Sequence, residues 1–512
     1  MAKLLLGFDI GSSSIKASVL DSESGNEIAS ASSPSKELPI SAPRLGWAEQ
    51  EPELWWEHVI EVTKMLNSLL LLGGNSLKEI CAIGISYQMH GLVLVDKEGK
   101  VLRPAIIWCD SRSVQIGQDA FESIGPDRVL QRLLNSPGNF TASKMRWVLE
   151  NEPEIAEKAR FMMLPGDYIA WKMTDSIVTT PSGLSECVLW EFPVQDKAQF
   201  LLDYYKIDKD LIPNIVPTFS VQGTVTSTAS KVLGVNSGIP ITYRAGDQPN
   251  NALSLNVLDP GTVAATAGTS GVIYGVSDKA EYDIGSRVNT FVHVNYARDY
   301  LRYGVLLCLN GCGILNSWLR NNTAMGIHGL NEKKTINYSD MNKIAGEAPI
   351  GAKGLIILPF GNGSERMLSN IELGASFHGL NFNIHQQSHL FRAAQEGIAF
   401  GMAYGLKLMN SVGINPSVIR CGYANLFQSD IFTDTFATVT GVPIELFNTD
   451  GAQGAARGAG IGAGVFSMKS AFLGLEKKVI VEPSTKDRNS IEDAYGLWTN
   501  ILTSLLNNFS FF

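Results

Sequence analysis

Residues 4–20 read LLLGFDIGSSSIKASVL, two apolar runs joined by Gly11-Ser12-Ser13-Ser14. Apolar runs on either side of a small-residue turn predict a β-hairpin. The pattern returns half a chain later as VAATAGTSGVIY at 263–274, where Gly268-Thr269-Ser270-Gly271 forms the turn. Two such hairpins, each opening one half, predict a duplicated architecture whose equivalent turns face one another across a cleft. Outside the hairpins, helices are expected over about 51–70, with Pro52 in the first turn, and over 113–124, 144–158, 311–320, 388–411, 428–440 and 451–466. Strands are expected at 80–86, 105–108, 239–245, 288–294, 301–306, 354–358 and 442–447. Strands and helices alternate in both halves, so the fold class is α/β in two domains, 1–255 and 256–512, in close contact because no low-complexity linker separates them.

The 512 residues exceed what one small module needs, and 45% apolar with 18% charged residues is a globular composition. A net charge of −9 with no Lys/Arg block leaves no footprint for nucleic acid. Six sparse cysteines without a CxxC pair imply neither a disulfide framework nor a structural zinc site and fit a reducing cytoplasm. The N-terminal apolar run, interrupted at Asp9, is too short for a signal peptide, and Leu69–Leu72 is far short of a spanning helix, so no membrane role is expected.

Several residues have the right chemistry at the right places. Asp9 ends the first strand beside a turn whose N–H groups and hydroxyls, Gly11, Ser12 and Ser13, suit phosphate oxygens, with Lys16 close by. A carboxylate there suits Mg²⁺, which prefers few carboxylates plus phosphate and water oxygens; the plainer reading is a hairpin whose Asp bonds its own turn. Asp247, in Ala245-Gly246-Asp247-Gln248-Pro249, stands where a strand gives way to a helix, so it is either an N-cap or a group able to take the proton of a hydroxyl attacking a phosphoryl group. Gln88-Met89-His90-Gly91 follows a strand and delivers side chains suited to a small polyol. Trp108-Cys109-Asp110-Ser111-Arg112 offers an aromatic face flanked by Asp and Arg, a sugar-gripping set or a salt bridge beside a core Trp. Gly458 to Ala463 matches GxGxxA, but it lies inside a Gly/Ala-rich helix and does not open one, which favours close helix packing over a dinucleotide site. His385 and His389 lack the glutamate of an HExxH site, and no Walker A or protein-kinase motif occurs.

The segments LLLGFDIGSSSIKASVLD, GDQPNNALSLNVLDPGTVAATAGTSGV and DGAQGAARGAGIGAG, in this order and at these distances, resemble the FGGY carbohydrate kinases over nearly the whole chain. GWAEQEPELWW, GISYQMHGLVLVD, RPAIIWCDSR and LPGDYIAWKMT look like the xylulokinase branch of that family. The resemblance implies two actin-like, ribonuclease-H-like ATPase domains around a central cleft, with sugar held mainly by the first and ATP mainly by the second. It implies Asp247 as general base, Asp9 and Asp247 toward Mg²⁺, and Met89, His90, Gly91, Trp108, Asp110 and Asp247 toward the sugar. Gly11, Ser12, Ser13, Lys16, Gly268, Thr269, Ser270, Gly311, Gly422 and Asn425 are implied toward the nucleotide. The chain departs from the family at Arg420–Asn425, where a Gly-Gly-(Gly)-Ala segment usually meets adenosine, and LPFGNGSERML only partly follows the usual proline-containing form. The expected reaction is ATP-dependent phosphorylation of D-xylulose to D-xylulose 5-phosphate. Ribulose, gluconate and glycerol are alternative acceptors, and a catalytically silent sugar- or ATP-binding protein and an actin-like ATPase are alternatives on the same fold. An exposed strand or helix in the second half leaves room for a homodimer.

Overall fold

The computed structural model describes residues 3–323 and 336–509. The first sheet is built from β1 (Leu4–Ile10), β2 (Ile15–Asp21), β3 (Glu27–Ser33), β4 (Ile80–Tyr87), β5 (Phe219–Thr224) and β6 (Pro240–Gly246), in the order β5-β6-β4-β1-β2-β3. β1, β4 and β6 run parallel, whereas β2, β3 and the edge strand β5 are antiparallel to their neighbours. The second sheet contains β7 (Thr262–Ala267), β8 (Gly271–Ser277), β9 (Asn289–Val292), β10 (Tyr303–Leu309), β11 (Val418–Gly422), β12 (Ile444–Phe447) and β13 (Lys477–Val481), ordered β9-β10-β8-β7-β11-β12-β13. Its parallel trio is β7, β11 and β12. Strand for strand, β13-β12-β11-β7-β8-β10 repeats β5-β6-β4-β1-β2-β3, and both predicted hairpins, β1/β2 and β7/β8, form the same corner of the pattern. This is the two-domain actin-like arrangement.

Local sequence explains the elements that position the cleft. Helix α1 (Pro52–Leu72) starts on Pro52 at its first position and buries Trp55, Val59, Val62, Leu66 and Leu70 along one stripe against β2 and β3. Each such aliphatic side chain contributes about 1.5–3 kcal/mol on full burial. Helix α2 (Asp247–Ser254) follows β6 without a loop, and α4 (Gly451–Gly462) follows β12 in the equivalent place, after α3 (Gln387–Asn410). The small residues of α4 lie flat on the first sheet. A Cβ on Gly7 would stand 2.0 Å from the Ala452 carbonyl oxygen, one on Gly84 2.0 Å from that of Ala455, and one on Gly462 1.9 Å from that of Thr242. Helix packing is therefore what the GxGxxA spacing serves. Thr242 Oγ1 donates to the Ala459 carbonyl at 2.7 Å, and Asn250 Nδ2 to that of Gly451 at 2.8 Å.

Three expectations are corrected. The helix foreseen at 144–158 is two, Thr141–Asn151 and Pro153–Lys158, because Pro153 cannot donate to the preceding turn and starts a new helix instead. Only Ala105–Ile106 of the 105–108 segment pairs as a strand, with Glu49–Gln50. The 451–466 helix stops at Gly462, with Gly464 left-handed just beyond. Central strand β11 and the C-terminal helix α5 (Arg488–Phe509) were not anticipated. No helix among the described residues is long and apolar enough to cross a membrane, and all six cysteines are unpaired.

Candidate active site

The carboxyl ends of β1, β4 and β6 meet in one row. Asp9 is in register with Ser86, and Ser86 with Ala245, so Asp9 and Asp247 flank the end of β4 at adjacent-strand spacings of about 4.8 Å per step. Ser86 Oγ donates to Asp9 Oδ1 at 2.8 Å. A Cβ on Gly451 would lie 2.5 Å from Asp9 Oδ2, so Asp9 abuts the first residue of α4, the positive end of that helix dipole. Burial raises the Asp9 carboxyl, against the lowering effect of Ser86 and of Lys16, its cross-strand partner.

Asp247 is the first residue of α2, one past Gly246 at the capping position. Burial, then the charge of Asp9, raises the Asp247 carboxyl to about 7, partly offset by hydrogen bonds from Gln248. Such a group is near half-ionised at neutral pH and holds a proton far better than an ordinary aspartate.

The first turn is closed by the Gly11 N–H donating to the Ser14 carbonyl at 3.1 Å. Ser12 accepts from Trp108 Nε1 at 3.3 Å, and Ser13 and Lys16 are exposed. In the second turn the Gly313 N–H donates to the Gly268 carbonyl at 2.9 Å and the Ile314 N–H to that of Thr269 at 3.3 Å, so the helix Cys312–Thr323 begins against it. Ser270 Oγ lies 3.5 Å from Asn310 Oδ1. A Cβ on Gly268 would be 3.5 Å from Asn425 Nδ2, which brings Asn425 to this turn. Gly422 ends β11, in line with β7. Gly311 is a glycine for packing, since any Cβ there would collide with the Pro359 carbonyl. The two turns form no hydrogen bond to each other among the described residues.

After β4, Met89 is buried with its side chain against Gly246, next to Asp247. His90 adopts a left-handed backbone, φ 60°, and its ring stands edge-on to Phe140 at 4.7 Å between centroids and 5.6 Å from Phe291 of the second domain. Burial, then Lys144, lowers the imidazole to about 3, so it is neutral. Trp108 is 39% exposed, open to a ligand face. Asp110 and Gly91 are placed otherwise than expected. Asp110 is fully buried, its carboxylate holding Arg112 through both oxygens and the Ala48 N–H at 2.6 Å, so it supports the loop and has no free face for a hydroxyl. Arg112 in turn stacks over Trp47 at 3.7 Å. Gly91 is buried against Pro165, where a Cβ would lie 2.7 Å from Cγ.

Two groups escaped the sequence reading. Lys144 is fully buried, donating to the carbonyls of His90 at 2.8 Å and Ile107 at 2.9 Å, and burial lowers it to about 8. Glu186, also buried, accepts from Tyr87 Oη at 2.6 Å and from the His90 N–H at 3.2 Å. Burial pushes it well up, Asp247 and Asp167 adding to the effect and the two hydrogen bonds opposing it.

Residues 4–254 match the N-terminal domain of the FGGY family of carbohydrate kinases and 263–466 its C-terminal domain. The chain belongs to the FGGY family of carbohydrate kinases. It is therefore an ATP-dependent sugar phosphotransferase. It is 28% identical to a xylulose kinase of Staphylococcus xylosus over 510 residues, 97% of this chain and 99% of that one. It is also 28% identical to a xylulose kinase of Escherichia coli K12, covering 89% and 88%. Among solved structures, a ligand-bound xylulose kinase of Lactobacillus acidophilus superposes with a TM-score of 0.86 at 24% identity, covering 98% of each chain. A gluconate kinase of the same organism gives 0.86 at 23% over 99% of each chain, and a Plasmodium falciparum glycerol kinase with ADP 0.85 at 20%, covering 99% of this chain and 98% of that one. These structural likenesses show the shared fold.

Proposed function

We propose that this FGGY kinase transfers the γ-phosphoryl group of ATP to the terminal hydroxyl of D-xylulose, with Asp247 taking the hydroxyl proton. The observation that carries this reading is Asp247 itself, a carboxyl raised to about 7 at the end of β6, one strand from Met89 and His90 and two from the phosphate-suited turn after Asp9. In the step, the acceptor oxygen bonds phosphorus, its proton passes to Asp247 and the bond to ADP breaks. Positioning and charge stabilisation supply the rest. Gly11–Ser13 and Lys16 receive phosphate oxygens from one domain, Gly268–Ser270 from the other, and Gly422 and Asn425 border the adenosine.

Asp9 and Asp247 would hold Mg²⁺. The donor types fit, both being carboxylates, and the charge of Asp9, after burial, helps raise Asp247, a repulsion that a cation would relieve. When bound, the ion neutralises phosphate charge. Met89 and His90 hold the sugar, with Trp108 against its apolar face; the names of the curated relatives favour D-xylulose over gluconate or glycerol.

An ADP-release assay over D-xylulose, L- and D-ribulose, gluconate and glycerol tests the assignment. D-xylulose should give the highest kcat/KM. Preference for another acceptor would overturn the sugar, turnover without any acceptor would make the protein an ATPase, and no turnover at all would make it a silent binder.

A further inference from the structure

We propose that Glu186 is a positioning residue of the sugar pocket: it holds His90, backbone and ring, in the conformation that presents the imidazole to the acceptor, and so sets sugar affinity. The inference rests on His90 as a sugar contact. It starts from strain. His90 sits at φ 60°, a region that residues with a Cβ occupy only where their surroundings hold them. Glu186 supplies two of the three holding contacts. Its Oε2 accepts the His90 N–H at 3.2 Å, and its carbonyl oxygen lies 2.8 Å from His90 Nδ1. Lys144 supplies the third, on the His90 carbonyl.

The carbonyl contact also fixes the ring. A carbonyl oxygen only accepts, so Nδ1 carries the hydrogen and Nε2 keeps its lone pair. Nε2 forms no hydrogen bond among the described residues and is the natural acceptor for a sugar hydroxyl. Glu186 is itself fixed: it is 1% exposed, and Oε1 accepts from Tyr87 Oη at 2.6 Å. Its Oε2 would lie 3.2 Å from a Cβ on Gly246, so one carboxyl group steadies His90 directly beside Asp247. The neighbouring Ser185 Oγ accepts the Val292 N–H at 2.9 Å, which ties the segment to the strand carrying Phe291, the second-domain ring against His90.

Glu186→Ala should raise the sugar KM about tenfold or more, the loss expected when a buried N–H is left unpaired, and leave the ATP KM within about twofold. Glu186→Gln keeps an oxygen for the His90 N–H and should restore most of the affinity. Tyr87→Phe, which frees Glu186 from its anchor without removing it, should give an intermediate rise and keeps the test open should Glu186→Ala not fold. A sugar KM unmoved by Glu186→Ala and Tyr87→Phe would overturn the proposal, as would equal rises for sugar and ATP or no rescue by Glu186→Gln. Calorimetric titration of D-xylulose without ATP reads the same contrast independently of turnover. A wild type that binds D-xylulose but never phosphorylates it would refute the proposed reaction, and the affinity ratio between wild type and Glu186→Ala would still decide the role of Glu186.

Discussion

Asp247→Asn should cut turnover by about 100-fold or more and yet stabilise the protein, with the gain growing as pH rises. The carboxyl is held at about 7 by burial and by Asp9, against about 3.9 in an unfolded chain. The native state therefore binds this proton more tightly than the unfolded one, so the wild type carries no penalty below about pH 4 and loses stability progressively until the pH has passed 7. A difference of three pKa units corresponds to about 4 kcal/mol. Asp247 is only partly buried, so solvent screening reduces this. A net gain of about 2 kcal/mol at pH 8, vanishing by pH 4, remains, which is about 4–8 °C in Tm for a domain of this size. Differential scanning calorimetry across pH 4–8 reads it. ADP release should fall about 100-fold or more in the variant, while the wild-type kcat/KM for sugar rises through an acid limb near pH 7. An asparagine variant that turns over normally, or one less stable than wild type at pH 8, would refute the reasoning and return Asp247 to a structural role at the start of α2.

His90→Ala should raise the sugar KM by about tenfold and spare the ATP KM, as read by initial rates with each substrate varied; equal effects would place His90 outside the sugar pocket. Gly451→Ala, whose Cβ would press within 2.5 Å of Asp9 Oδ2, should lower kcat with little change in secondary structure by circular dichroism. Small-angle scattering should show a smaller radius of gyration with D-xylulose and a non-hydrolysable ATP analogue than without, and hydrogen exchange should slow at the Gly11 and Gly268 turns together. Protection at one turn alone would leave each hairpin a separate feature.

What could be read from sequence was local. The hairpins at Gly11 and Gly268 declare themselves because a small-residue turn between apolar runs needs no distant partner. Asp9 and Asp247 were found from their places at strand ends, and the structure sets them in one row. Asp110 misled because an aromatic beside Asp and Arg reads identically as a sugar grip and as a loop-stabilising ion pair; burial alone distinguishes them, and it is tertiary. Glu186 had no signal, lying in a Ser/Gly-rich stretch and meeting Tyr87 and His90 only through contacts 99 and 96 residues away. The α5 helix did carry one: Ile491, Ala494, Trp498 and Leu502 recur at helical spacing and are all buried.

The placement of α4 bears on how the chain is made. The face of the first sheet around Gly7 and Gly84 is covered by a helix that begins at Gly451, roughly 200 residues after β6 has been completed. At about 5–20 residues per second, a ribosome leaves that apolar face bare for roughly 10 to 40 seconds. The N-terminal half is thus a folding client for the whole of that interval: its six strands can pair, but the surface beneath Asp9 and Ser86 stays open until nearly the last strand of the second sheet has emerged. Truncation after the first sheet but before residue 462 should yield a species that chaperones hold and proteases clear, even though all six strands of the first sheet are present.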